Sequence, residues 1–251
     1  MKLKGKVAIV TGSTSGIGKA IAMAFSKEGA NVVLNGSSKS ERPDLVVECS
    51  RAGTAAIYVQ ANVSRSEEVR AMVQKAVGTF GRVDILVNNA AYGHGGGYEA
   101  HRFPVEEWDA VIGVCLTGAF LCARYTIPEM MKVGGGVILN MGSIEGVRGF
   151  AADAAYMAAK GGLSQLNQSM AVDYASENIR VNMILAGFIA TPLNEKGRKD
   201  PIWLERALEK PLIKRPGEPA EVAQLAVYLT SDAAAYITGA AFTIDGGWIV
   251  R

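Results

Sequence analysis

The stretch Thr11-Gly12-Ser13-Thr14-Ser15-Gly16-Ile17-Gly18 joins a short apolar run to a helical pattern, and its composition suits an anion. Glycines let a backbone approach a pyrophosphate closely, and the N–H groups that open the next helix meet its negative charge. A tight strand-to-helix turn also uses glycine, yet three glycines interleaved with hydroxyl residues at this point favour a dinucleotide site. A second pattern is Tyr156-Met157-Ala158-Ala159-Lys160. Four residues apart on a helix, a phenol and an ammonium project from one face, one turn apart. The positive charge favours phenolate and would move a group that titrates at about 10 toward values useful for acid/base work. By spacing alone such a pair is commonly a surface pair, so its meaning depends on its company.

Those side chains need a scaffold. Short β-branched runs occur at Val7 to Val10, Asn31 to Leu34, Ala55 to Val59, Ile85 to Val87, Val137 to Asn140, Ile179 to Leu185 and Phe242 to Ile244. Between them lie apolar residues at helical spacing, such as Ile17, Ile21, Ala24 and Phe25, or Val69, Met72, Val73 and Val77. Strand and helix alternating in this way predict right-handed crossovers and an α/β doubly wound fold, a mostly parallel seven-stranded sheet with helices on both faces. In that fold ligands bind beyond the carboxyl ends of the strands, where the strand order reverses. Two stretches break the alternation, the glycine-rich Ala90 to Pro104 and the proline-containing, charged segment 191–219, and both follow strands that border such a crevice.

A length of 251 residues fits one domain, 1–251, and 49% hydrophobic residues with 20% charged ones exclude a mainly disordered or fibrous chain. With 26 Lys+Arg against 24 Asp+Glu the net charge is +2, and the basic residues are scattered, so neither a nucleic-acid footprint nor a membrane-attracting block is present. The expected partner is a small molecule. Cys49, Cys115 and Cys122 form no C-x-x-C pair and are joined by His94 and His101 alone, so neither a disulfide framework nor a metal site is expected. The apolar run after Lys6 stops at Thr11, far short of a signal-peptide core, and no uninterrupted apolar run reaches membrane length. A cytoplasmic location follows as an expectation.

The spacing T-G-x-x-x-G-x-G resembles the short-chain dehydrogenase/reductase family. Further residues agree in order along essentially the whole chain: Asn88-Asn89-Ala90 after the fourth strand, Ser143 after the fifth, Tyr156 and Lys160 opening a helix, Ile179-Arg180-Val181-Asn182 before Gly187, Thr191-Pro192, and Ile237-Thr238-Gly239 before Asp245-Gly246-Gly247-Trp248. The resemblance implies a Rossmann-type fold and an NAD(P)(H)-dependent oxidoreductase that interconverts a secondary alcohol and a ketone by hydride transfer. It implies catalytic roles for Ser143, Tyr156 and Lys160. Tyr156 would donate the proton in reduction and accept it in oxidation, while Ser143 would hydrogen-bond the substrate oxygen. It also implies cofactor contacts from Gly12, Thr14, Ser15, Gly16, Ile17, Gly18, Ser37, Asn62, Val63, Asn89, Ala90, Tyr156, Lys160, Gly187, Ile189 and Thr191. The family is usually tetrameric, and the helix carrying Tyr156 together with the segment Ala240 to Val250 resembles its subunit contacts, which implies a homotetramer.

The chain departs from the family pattern in places. Cys115 stands where an asparagine usually helps hold a water in a proton relay to the lysine, and cysteine is a poor hydrogen-bonding substitute. A cofactor-binding protein with weak or lost turnover is therefore the alternative reading, and a lyase or dehalogenase on the same fold would have little use for an intact glycine loop. Ala91, Asn62 and Ala186 are milder departures. At the end of the second strand, Asn35-Gly36-Ser37-Ser38-Lys39, no carboxylate stands at Gly36 to receive the ribose hydroxyls of NAD, whereas Ser37, Ser38, Lys39 and Arg42 offer donors to a 2′-phosphate, so NADP is favoured over NAD. Candidates for the substrate pocket are Glu145, Arg148, Tyr92, His94, Phe188, Leu193 and Trp203. Thr191 to Asn194 with Glu145 loosely resembles sugar dehydrogenases of the family; 3-oxoacyl thioester and general ketone reductases share the other motifs.

Overall fold

Strands that are apolar along their whole length need cover on both faces, and the chain supplies it. The computed structural model describes residues 1–38, 42–50, 53–92 and 97–251. Its elements run β1 (Val7–Val10), α1 (Gly16–Lys27), β2 (Asn31–Gly36), α2 (Pro43–Ser50), β3 (Ala56–Gln60), α3 (Ser66–Phe80), β4 (Ile85–Asn88), α4 (Val105–Ile112), α5 (Gly118–Lys132), β5 (Gly136–Ser143), α6 (Ala154–Tyr174), β6 (Ile179–Ala186), α7 (Glu195–Arg198), α8 (Pro201–Glu209), α9 (Pro219–Thr230) and β7 (Ala241–Ile244). The seven strands pair in parallel in the order β3-β2-β1-β4-β5-β6-β7. β1 lies between β2 and β4, with Ala8 opposite both Val32 and Ile85. The order reverses there, and the crevice that forms is where a ligand belongs.

Alternation along each strand divides the core into two layers. Ala8, Val10, Val32, Leu34 and Val87 point toward α1 and α9, where they meet Ile21, Phe25, Val222 and Val227. Ile9, Val33, Leu86 and Ile138 point the other way, against Met72, Val73, Ile127 and Met130 of α3 and α5. β5 runs to Ser143, so that residue is the last of the strand.

α4 and α5 form one continuous helix interrupted by a π turn at Gly113–Thr117. Val105–Lys132 is long and apolar enough to cross a membrane, with a mean hydropathy of 1.7 over its most apolar window. The sequence reading expected no such segment, because no apolar run of about 18 residues is free of a charge or a glycine cluster. In the fold half of that window is buried, with Cys122, Ala123, Ile127 and Met130 in the core, so its apolarity serves the sheet.

The segment 191–219 is built from short elements. Thr191 and Asn194 form a reciprocal cap, and the Asp200 side chain accepts from the N–H groups of Ile202 and Trp203 to start α8.

Candidate active site

The glycine loop is fixed by polar side chains from neighbouring strands. Thr11 Oγ1 accepts from the N–H groups of Asn89 (2.9 Å) and Ala90 (3.0 Å) and donates to the Val87 carbonyl. Asn89 Nδ2 returns bonds to the carbonyls of Thr11 (2.9 Å) and Gly12 (3.1 Å). Buried Asn35 accepts from Gly12 N–H and donates to the carbonyls of Val59 and Ala61, joining the loop to the end of β3. Gly12 has φ +61, and a Cβ there would lie 2.8 Å from Ala90 Cα. At Gly18 it would collide with Asn89 Nδ2 and the Gly12 carbonyl, so this glycine is required by packing of α1 against the loop and Asn89. The N-terminus of α1 carries no side-chain cap and no acidic residue in its first turn, and it opens into the main cavity. Uncapped amides at the positive end of a helix fit a pyrophosphate, so the residues present suit the dinucleotide that the sequence predicts.

That cavity, of about 710 Å³, also brings together Ser143, Tyr156 and Lys160 from β5 and α6. Of the predicted cofactor contacts, Gly12, Ser15, Gly16, Ile17, Gly18, Asn89, Gly187, Ile189 and Thr191 line it as well. Gly187 is held close to the last turn of the chain, where a Cβ would meet Asp245 Cβ at 2.6 Å. Lys160 is 3% exposed, and its Nζ donates to the Met141 carbonyl at 2.7 Å while lying 5.4 Å from the Tyr156 ring centroid. Ser143 is bonded to the Tyr156 hydroxyl, and its Oγ accepts from Glu145 N–H at 3.1 Å.

Burial pushes the Tyr156 phenol above its ordinary range, and Cys115, Glu145 and Asp153 push the same way, whereas the Ser143 hydroxyl pulls it down. The sequence reading expected Lys160 to lower it. Burial outweighs that effect, since Lys160 is itself pulled below the usual lysine value by desolvation. At neutral pH the phenol therefore keeps its proton, and the arrangement can deliver that proton to an oxygen held between Ser143 and Tyr156.

Two carboxyl groups border the same space. Glu145, two residues past Ser143, is hydrogen-bonded to Asp153, which stands at the N-cap position of α6. Desolvation first, then Asp153, raises the Glu145 pKa, with Lys160 opposing. Asp153 does not cap its helix, and its backbone bridges to Tyr98.

The remaining predicted cofactor contacts lie away from the cavity wall. Ser37 is exposed at the end of β2, with its carbonyl accepting from Gln60. A Cβ at Gly36 would come within 2.8 Å of Thr14 Cγ2 and 3.0 Å of Tyr58 Oη, so a carboxylate at that position is sterically opposed. Arg42, at φ 44, donates to the Thr14 carbonyl and pairs with Asp44, which sets a guanidinium beside the glycine loop. Asn62 Oδ1 is taken by the Ser64 N–H and hydroxyl. Val63 and Ala90 border a separate cavity of about 10 Å³ with Thr11, Asn88, Cys115 and Cys122. Lys39 and His94 lie outside the described residues.

Cys115 sits in the π turn, 2% exposed, in a cluster with Val111, Ala155 and Ala159, and its sulfur accepts from Tyr92 N–H at 3.4 Å. Among the candidates for the substrate pocket, Glu145, Tyr92, Phe188, Leu193 and Trp203 line the main cavity, and Arg148 does not. Its guanidinium turns to the carbonyls of Trp248 (3.0 Å), Ile249 (3.2 Å) and Arg251, tying down the turn that brings Trp248 to the cavity wall. Sequence reasoning missed Asp153, Asn35 and the wall role of Trp248. An Asp immediately before the helix of Tyr156 was the available signal for the first.

The family model described as Enoyl-(Acyl carrier protein) reductase matches residues 12–249. The chain is 39% identical over 251 residues to a 3-oxoacyl-(acyl-carrier-protein) reductase of Thermotoga maritima, covering all of both chains. It is 40% identical to glucose 1-dehydrogenase 2 of Bacillus subtilis, covering 98% of this chain and 95% of that one. Among solved structures, a short-chain type dehydrogenase/reductase from Mycobacterium marinum superposes with a TM-score of 0.91 at 31% identity, covering 98% of this chain and 96% of the other.

Proposed function

The chain belongs to the short-chain dehydrogenase/reductase family of oxidoreductases, and from that premise we propose that it interconverts a secondary alcohol and a ketone with NADP(H), using Tyr156 as the general acid and base. The observation that carries this reading is the meeting of Ser143, Tyr156 and Lys160 in one cavity with the uncapped glycine loop. When bound, the nicotinamide supplies or takes up the hydride. Ser143 holds the substrate oxygen and stabilises its developing charge, and Tyr156, protonated at neutral pH by virtue of its burial, gives that oxygen a proton. Lys160, anchored on the Met141 carbonyl, orients the phenol and offers its remaining N–H groups to the cofactor ribose. Arg42 beside Thr14 and the crowded Gly36 support NADP over NAD.

Exposed Val172 on α6 and Val250 near the end of the chain support a homotetramer formed through those surfaces. Three buried free cysteines suit a reducing compartment. The direct test is oxidation of NADPH and of NADH, followed spectrophotometrically with ketones, sugars and 3-oxoacyl thioesters. Turnover of at least one carbonyl with preference for NADPH is expected; binding of cofactor with no turnover across the panel would instead favour a non-catalytic protein.

A further inference from the structure

We propose that Glu145 and Asp153 form a hydrogen-bonded carboxyl pair that receives the hydroxyl group on the carbon next to the reacting one, so that the substrate is an α-hydroxy ketone or the vicinal diol that it becomes. The inference rests on the oxidoreductase reading above and names its substrate class.

The placement comes from the chain itself. Glu145 follows Ser143 by two residues, and its N–H donates to Ser143 Oγ; Asp153 precedes Tyr156 by three. Each carboxyl thus stands within three residues in sequence of one of the two groups flanking the reacting oxygen, and both border the same cavity. Asp153 occupies the N-cap of α6 without capping it. An aspartate there ordinarily stabilises its helix by accepting from the second or third N–H, and this one is bonded to Glu145 instead.

Two carboxylates in contact cannot both ionise freely, so the pair holds a shared proton and one negative charge. Burial acts in the same direction on Glu145. Such a pair offers several acceptor lone pairs and little room for another anion. Lys160 is the only basic residue on this cavity wall among the described residues, and with one N–H on the Met141 carbonyl and the others turned to the cofactor ribose it is placed for the cofactor, so the wall around the pair offers no further cation to a substrate carboxylate or phosphate. A neutral hydroxyl donor matches the charged acceptor, and a charge-assisted hydrogen bond is among the stronger polar contacts. The same cavity is also lined by the apolar Phe188, Leu193 and Trp203.

The test compares hydroxyacetone with butanone, which replaces the hydroxyl by a methyl group at the same heavy-atom count. The proposal expects kcat/KM for hydroxyacetone to exceed that for butanone at least tenfold, and Glu145→Gln and Asp153→Asn each to lower that ratio by about tenfold, the scale of a lost hydrogen bond to a charged group. A ratio near one in the wild-type protein, or a ratio unmoved in both variants, overturns it. Infrared difference spectra at pH 7 provide a readout independent of turnover: a protonated carboxyl C=O band present in the wild-type protein and absent from Glu145→Gln supports the pair, and its absence from the wild-type protein refutes it. If neither ketone is reduced while NADPH binds, the oxidoreductase reading is what fails, and the infrared band still decides the pair.

Discussion

At the β1–β4 end of the cavity, Gly12 and Gly18 leave no room for a methyl group, and Thr11, Asn35 and Asn89 hold the loop by hydrogen bonds drawn from three strands. At the far end, the wall after β6 is held by an edge-to-face contact of Phe188 and Trp203 at 5.5 Å, by the Asn194 cap and by surface ion pairs such as Glu195 with Lys199, while Leu193 is exposed. Buried, fully used polar groups specify one geometry, whereas exposed aromatic edges and surface ion pairs contribute little and tolerate rearrangement. One end of the cavity therefore has a single, fixed geometry, as the proposed cofactor site requires, and the other, where the proposal puts the substrate, tolerates change.

The largest expected effect lies between the two ends. Tyr156→Phe keeps the ring and removes the transferable proton, so kcat should fall at least ~100-fold while the NADPH dissociation constant stays nearly constant. Gly18→Ala should cost about 1 to 3 kcal/mol of stability and weaken NADPH, because its Cβ meets Asn89 Nδ2 and the Gly12 carbonyl. The matching change beyond β6, Gly197→Ala, brings its Cβ to 2.7 Å from the ring of the exposed Trp203 rather than against backbone; a smaller loss of melting temperature is expected, and equal losses would erase the contrast between the two ends.

Cys115→Asn is expected to lower stability by about 1 to 3 kcal/mol with no gain in kcat, since the neighbouring cavity of about 10 Å³ cannot take a larger polar group. A rise in kcat, accompanied by a smaller solvent isotope effect, would show instead that proton delivery limits the enzyme at this position. Arg42→Ala should weaken NADP by about tenfold relative to NAD, the scale of a lost charge-assisted contact, as read from the two dissociation constants.

The last expected effect concerns pH. Burial and Asp153 raise Glu145 from the ordinary 4.5 to about 8, so the folded state favours the protonated carboxyl. The stability it contributes is fully present below about 4.5 and is lost as pH rises through about 8. Melting temperatures measured across that window should decline in the wild-type protein and decline less in Glu145→Gln.

Local spacing made the first half of this account legible. The glycine loop, the Tyr156–Lys160 pair and the seven apolar runs are statements about residues one to eight positions apart, and the structure keeps the strands to within two residues except at β5, which runs three residues further, to Ser143. What the spacing did not carry was reach across elements. Asn35 acts on Gly12 from another strand, Arg42 turns back to Thr14, and Arg148 leaves the cavity for the carbonyls of the last turn. Asp153 looked like an ordinary helix start and is spent on Glu145 instead. The apolar stretch of α4 and α5 misled in another way: charge and glycine interrupt it locally, but its average hydropathy is set by the core it covers.

The account stands on one event, passage of a hydride between NADPH and a carbonyl carbon in the cavity that holds Ser143, Tyr156 and Lys160. NADPH carrying deuterium at both positions of nicotinamide C4 tests it directly when the protein is incubated with hydroxyacetone and the product is read by mass spectrometry. The account predicts a propanediol carrying one deuterium on the newly formed carbinol carbon, with formation suppressed in Tyr156→Phe. Product lacking the label, or labelled product formed equally well by Tyr156→Phe, would contradict it.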